Sequence, residues 1–358
     1  MMKRFAVLLL LLLILAPSVH AAEISQEYMD ALPDDVRAVS ETDGGALAAF
    51  TGALDSLGGK VRANIGEYLR GGMRAVILFL LVVLLCGVVD GLQTGVDDSA
   101  PNYTPMVGTL AILTIASGDV RSLLGLGTSV IGELSRFSTL LIPTLGAAIA
   151  ASGHAASAGV WQVGTVFFAD LLLGAVERLL HPMVYVYIGL CAANTVIENG
   201  RLAPLAEAVK SVVTWSLKAV LVVFTTYLAL TNVISGSTDQ LALKAAKAAM
   251  SGAVPVIGGT ISDAAETVLT GARVLKDTVG VLGMTAVLSI CILPFLQMGV
   301  QYILYKAASA LARAVGAKSL GGLIDALGCA LGLMLAMTAA CALMLLISMV
   351  VSITVVVT

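Results

Sequence analysis

Charge is what this chain has least of. Only 12% of its 358 residues are Asp, Glu, Lys or Arg, about half the share of an ordinary soluble domain. A globule so poor in charge has too little polar surface to meet water on every side, which excludes an ordinary soluble enzyme and a disordered chain. The balance of 20 basic against 23 acidic residues offers no basic face, so no nucleic-acid partner is expected. Histidine occurs three times. His20 lies in an N-terminal leader, His154 in a Gly/Ser/Ala turn and His181 before a proline, none beside a Ser or Cys nucleophile in a catalytic motif. The five cysteines, Cys86, Cys191, Cys291, Cys329 and Cys341, sit in apolar runs without a CxxC pair, as small buried hydrophobes rather than disulfides or metal ligands. HExxH, Walker A and zinc spacings are missing. No catalytic, cofactor-binding or metal residue is therefore assigned, no cofactor is implied, and the chain is expected not to be an enzyme.

What is abundant is apolar. Hydrophobic residues make up 58% of the chain and the mean hydropathy is +0.98. This predicts an all-α polytopic integral membrane protein, because a backbone in lipid must bond to itself and helices do so within one segment. Residues 1–21 have the three parts of a secretory signal: Lys3 and Arg4, a Leu-rich run ending before Pro17, and Val19 and Ala21 ahead of a cut after Ala21. An uncleaved anchor is the alternative, and both place the next segment outside the cytoplasm. Residues 22–72 form a short acidic extracytoplasmic segment followed by an amphipathic helix over Lys60–Arg74, and residues 73–358 form the membrane domain. Candidate spans are Met73–Gln93, Thr104–Gly118, Phe137–Ser152, Gly159–Val176, Pro182–Ile197, Val212–Ile234, Val279–Tyr305 and Cys329–Val357, about six to eight crossings. Lys306, Arg313 and Lys318 against one acid assign Lys306–Asp325 to the cytoplasm. Arg70 and Arg74 at the outer end of the first span, and Asp90, Asp97 and Asp98 at its inner end, run against that rule.

An internal repeat is expected over about 137–234 and 249–350. At an offset of 112 residues, Pro143, Gly146, Ile149, Gly159 and Pro182 fall on Pro255, Gly258, Ile261, Gly271 and Pro294. Chance matching in an Ala/Gly/Leu-rich chain is the alternative. A true repeat would split Val279–Tyr305 into two arms at Pro294, whereas hydropathy reads it as one crossing. In Ser251–Asp277, Ile261, Ala265, Val268, Leu269, Ala272 and Leu275 recur at helical spacing, with Asp263 and Glu266 on the other face. That helix either lies on the membrane surface or re-enters it to line a polar cavity or a subunit contact. Asp170 is the one acid deep in a candidate span; a carrier would use such a group, and a packing or subunit contact is the stronger reading. The 36 glycines favour close helix approach. Pro143, Asp170, Pro182, Pro255, Gly258, Asp263, Glu266, Gly271 and Pro294 are thus candidate structural and interaction residues.

The segment Val254-Pro-Val-Ile-Gly-Gly-Thr-Ile-Ser-Asp-Ala-Ala-Glu-Thr-Val-Leu, continuing through Lys276-Asp277-Thr278-Val279-Gly280 to Pro294 and Tyr305-Lys306-Ala307-Ala308, resembles the signature of the stage III sporulation protein AE family. Ile142-Pro143-Thr144-Leu145 and Ala150-Ala151-Ser152-Gly153 resemble an upstream segment of the same family. The likeness covers most of residues 70–358. It implies a non-enzymatic membrane component of the sporulation trans-envelope channel, or export apparatus, that links mother cell and forespore and supports late forespore development. Its location would be the mother-cell membrane that becomes the outer forespore membrane. Its partners would be the other stage III sporulation A operon proteins, including a secretion-type ATPase, and the channel's forespore membrane protein, in an oligomeric complex. A stand-alone secondary transporter or permease is the alternative; it would require essential charges within the membrane.

Overall fold

The computed structural model describes residues 30, 32–33, 36–37, 45–93, 103–197, 200–253 and 258–354, with side chains described outside 45–50, 93, 232–268 and 354. The signal sequence and Pro255 lie outside the described residues. Every regular element among the described residues is helical: α1 Gly45–Gln93, α2 Thr104–Ala151, α3 Ala155–Ala175, a π-helical turn Val176–Leu180, α4 His181–Ile197, α5 Ala203–Ala253, α6 Gly258–Ala314 and α7 Lys318–Thr354. Five stretches are long and apolar enough to cross a membrane: Thr51–Leu92, Thr104–Ala151, Ala203–Thr231, Leu269–Ala314 and Lys318–Ile353. The chain is an all-α polytopic membrane protein.

The helices are longer than the hydropathy pattern suggests. Thr104–Gly118 and Phe137–Ser152, read as separate spans, are the two ends of α2. The charged stretch between them stays helical because Leu123, Leu124, Gly127, Val130, Ile131 and Leu134 fall on one buried face, and Gly127 lies directly under Met334 of α7. The amphipathic stretch Lys60–Arg74 and the span after it are likewise one helix, α1. From Gly258 onward, Ser251–Asp277 is continuous with the span after it, as the start of α6, whose 57 residues extend about 86 Å.

Pro182 and Pro294 fare differently. Proline lacks an N–H and its ring crowds the carbonyl four residues back. Before Pro182 the chain answers with the wider π turn, which contains Arg178, the residue whose carbonyl is affected. Pro294 sits inside an unbroken α6, so α6 is a single rod rather than two arms. The two regions share a further feature. Gly200 and Gly316, with φ of +64° and +101°, turn the chain back after α4 and α6. At Gly316 the bonds Ala317 N–H to Ala312 O (3.1 Å) and Gly316 N–H to Arg313 O (3.1 Å) form the helix stop that places a left-handed residue at the position of Gly316. Each half therefore contains a long proline-bearing helical arm, a glycine turn and a return helix.

α7 is the centre of the bundle: 56% of its most apolar stretch is buried, against 28% for α1. It packs on α6, α2, α4, α5 and α3. α1 lies outside, parallel to α6, with Phe79 edge-on to Tyr305 at 5.2 Å and Gly72 against Gln301 and Leu304. Its outward Ile77, Leu81, Leu84, Leu85 and Val88 are exposed, as a lipid-facing helix requires. Lipid gives no hydrophobic drive for helices to associate, so close backbone approach and hydrogen bonds must hold them together. Glycines supply the first: Gly328 and Gly332 of α7 lie under Tyr305 and Tyr302, and Gly164 of α3 lies under the ring of Tyr227. Buried hydroxyls bond back along their own helices, as Thr338 does to Met334 O at 3.0 Å, or across them. Trp161 Nε1 donates to Ser348 O at 3.3 Å, Ser348 Oγ to Thr165 Oγ1 at 3.2 Å, and Tyr227 Oη to Val160 O at 2.8 Å.

Leu32 and Val36 of the acidic segment are buried against the bundle. Leu32 and Pro33 border a cavity of about 610 Å³ beside Pro294, rimmed by Glu133 and Arg136. Too short for a core of its own, the segment borrows that of α2 and α6.

Candidate functional site

A cluster of charged residues lies where the two glycine turns come together. Tyr302 and Lys306 are four apart on α6, and Asp325 and Cys329 are four apart on α7, so each pair shares a helix face. The antiparallel crossing of α6 and α7 sets the pairs against each other. Lys306 Nζ donates to Asp325 Oδ1 at 2.7 Å and to Cys329 Sγ at 3.1 Å, and lies 5.7 Å from the Tyr302 ring centroid. Arg313 Nη2 reaches the other carboxylate oxygen at 3.6 Å. Lys306 and Asp325 are each about a third exposed, so the contact is partly screened. Ser309 Oγ donates to Gly321 O at 2.9 Å and fixes the same crossing.

The other hairpin closes over this cluster. Ser319 Oγ donates to Thr195 O at 3.4 Å, joining the start of α7 to the end of α4. Asn194 Oδ1 accepts from Leu202 N–H at 3.2 Å and shapes the Gly200 turn. Between the hairpins lies a cavity of about 290 Å³, whose lining includes Tyr187, Asn194, Glu207, Lys318 and Asp325. Glu207 is paired at the surface with Lys210 at 3.1 Å. The arrangement presents groups of both signs around one small volume, suited to holding helix ends in register or to meeting a polar partner.

The sequence-derived candidates do not gather at this cluster. Pro143 lies inside α2 on an exposed face, Asp170 is exposed on α3, and Gly271 is exposed with open space around it. Pro182 follows the π turn and Pro294 borders the cavity beside Leu32. Gly258 begins α6, while the side chains of Asp263 and Glu266 lie outside the described residues. Of the cluster, Arg313 and Asp325 enter the sequence reading only as markers of topology, and Lys306 as such a marker and as part of the family-like segment. The available signal was the pair of i, i+4 polar partners on otherwise apolar helices. The cysteines are all free; Cys291 and Cys341 are buried, and Cys329 adds a polar contact to Lys306.

Long apolar helices bound by glycine contacts and by a charge cluster at their turns define a polytopic helical membrane protein whose sequence determinants run almost its full length. The chain belongs to the stage III sporulation protein AE family, whose model matches residues 50–356. The stage III sporulation protein AE of Bacillus subtilis (strain 168) is 26% identical over 253 residues. That alignment covers 70% of this chain and 63% of the relative, so it spans less than two thirds of the relative's length. No solved structure matches the chain significantly.

Proposed function

We propose that this protein is a non-enzymatic membrane component of a sporulation trans-envelope channel or export apparatus. It would sit in the mother-cell membrane that surrounds the forespore and serve late forespore development. The observation that carries the reading is the family match over residues 50–356. It is supported by a bundle in which several described polar groups tie one helix to another. The partners on this reading are the other proteins of the stage III sporulation A operon, among them a secretion-type ATPase, together with a forespore membrane protein. α6 offers the contact: its first turns carry Asp263 and Glu266 on one face of an otherwise apolar segment, where burial without partners would be costly. Replacing both by Leu is expected to lower heat-resistant spore yield and co-purification with the operon proteins while leaving protein abundance near wild type. Asp170→Asn, on an exposed face of α3, is expected to sporulate normally. Normal spore yield from the double variant would remove α6 as the contact. Loss of sporulation in Asp170→Asn with an intact complex would replace the subunit reading by a carrier.

A further inference from the structure

A second polar cavity, about 280 Å³, lies between α1, α2 and α6, away from the turn-end cluster. Its polar lining is Glu67, Tyr68, Asp119, Ser122, Gln297 and Gln301, and no Lys or Arg is part of it. Neither Glu67 nor Asp119 has an ion-pair partner among the described residues. Gly72 opens the space, because the Gln301 side chain lies where a Cβ would stand; Gln301 itself is only 7% exposed.

A second, independent observation points into the same space. Tyr305, one turn beyond Gln301 on α6, is fully buried, and its hydroxyl forms no well-directed hydrogen bond. Buried hydroxyls are seldom left so. Helical side chains lean toward the helix N-terminus, and Phe79 holds the ring edge-on. The hydroxyl is therefore carried toward Gln301 and within the field of the Asp119 carboxylate. Gln297, Gln301 and Tyr305, at i, i+4 and i+8, form one polar stripe on α6 facing two acids on α1 and α2.

We propose that this cavity binds a hard divalent cation through the Glu67 and Asp119 carboxylates and the side-chain oxygens of Gln297 and Gln301, with the Tyr305 hydroxyl turned toward the ion. The donors are all oxygen, which suits calcium or magnesium and not the thiolate- and imidazole-seeking metals. Two carboxylates with no cation in the lining match a double positive charge; sodium would balance only one.

The test uses the purified full chain in lipid nanodiscs, stripped with chelator, and does not depend on any role in sporulation. Equilibrium binding of radiolabelled calcium and thermal unfolding are measured with calcium, magnesium, sodium or N-methylglucamine chloride at matched ionic strength. The expected result is saturable binding of about one divalent ion per chain, with a higher Tm. Asp119→Asn and Glu67→Gln should each weaken affinity by about tenfold or more, and Gln301→Leu should abolish the cation-dependent rise in Tm. Asp170→Asn, a surface acid on another helix, should bind as wild type does. Glu67 is exposed, so its variant keeps the test valid if a buried change fails to fold. Absence of saturable binding, equal binding by wild type and Glu67→Gln, or stabilisation by sodium alone would overturn the proposal.

Discussion

The contact between Lys306 and Asp325 makes a quantitative claim. Removing either side chain breaks the same 2.7 Å bond, but the two losses should differ. Lys306→Met leaves Asp325 with Arg313, whose guanidinium is 3.6 Å away and able to close in. Asp325→Leu leaves Lys306 and Arg313 facing each other with no acid between them. A hydrogen bond to a charged group contributes about 1.5–3 kcal/mol. Because both side chains are about a third exposed, solvent screening moves the estimate toward the lower end, about 1–2 kcal/mol for Lys306→Met. Asp325→Leu should cost roughly 1 kcal/mol more, from the lost Arg313 contact and the repulsion that replaces it. The double variant removes the repulsion that Lys306 contributes and should be less unstable than the two single losses added, a coupling of about 1–2 kcal/mol. Unfolding in mixed micelles titrated with a denaturing detergent measures all four proteins on one scale. Additive losses, or a larger cost for Lys306→Met than for Asp325→Leu, would refute the claim that Asp325 is the shared anchor of two cations.

Three other outcomes follow from the packing. Gly164→Ala places a methyl group inside the Tyr227 ring and must displace the hydroxyl that donates to Val160 O; overpacking of this kind costs about 1–3 kcal/mol, and Tyr227→Ala in the same chain should relieve part of it in the same titration. Trp161→Phe keeps the buried ring but loses the bond to Ser348 O, and is expected to lower stability by about 1 kcal/mol without altering expression. Lys276→Met removes the buried ammonium that donates to Ile353 O at 2.9 Å near the end of α7, and limited proteolysis should then cut within 350–354 sooner than in wild type.

Composition and hydropathy were enough to read the helical membrane class, since few other structures satisfy a backbone in lipid. Helix ends were harder to place. A hydropathy scan sees the charges of 119–136 as a gap between spans, whereas the helix continues because Leu124, Ile131 and Leu134 keep their buried register against the bundle. Pro294 and Pro182 are chemically identical in sequence; what separates them is the packing of α6 against α7 and α1, which holds an unbroken rod through Pro294. The candidate site was legible only in part. Lys306 and Asp325 are 19 residues apart, and nothing local indicates that the Gly316 turn folds one onto the other. Glu67, Asp119 and Gln301 come from three helices, so their shared cavity is a tertiary fact with no sequence period.

The two ends of the bundle are built differently. At the turn end, α4 meets α5 and α6 meets α7 within a few residues of Gly200 and Gly316, and charge pairs and hydroxyl bonds lock the four helix ends together. At the other end the helices stop at unequal heights. α7 finishes at Thr354, tied to α6 through Lys276, while α6 reaches back a further 18 residues to Gly258 and α5 runs on to Ala253. At 1.5 Å per residue this reach of α6 is about 27 Å long, comparable to the thickness of a bilayer core. Of the segment that most closely resembles the family signature, Val254–Leu269, the part from Gly258 onward forms the first turns of α6. The locked turns thus give that end of the bundle a rigid base.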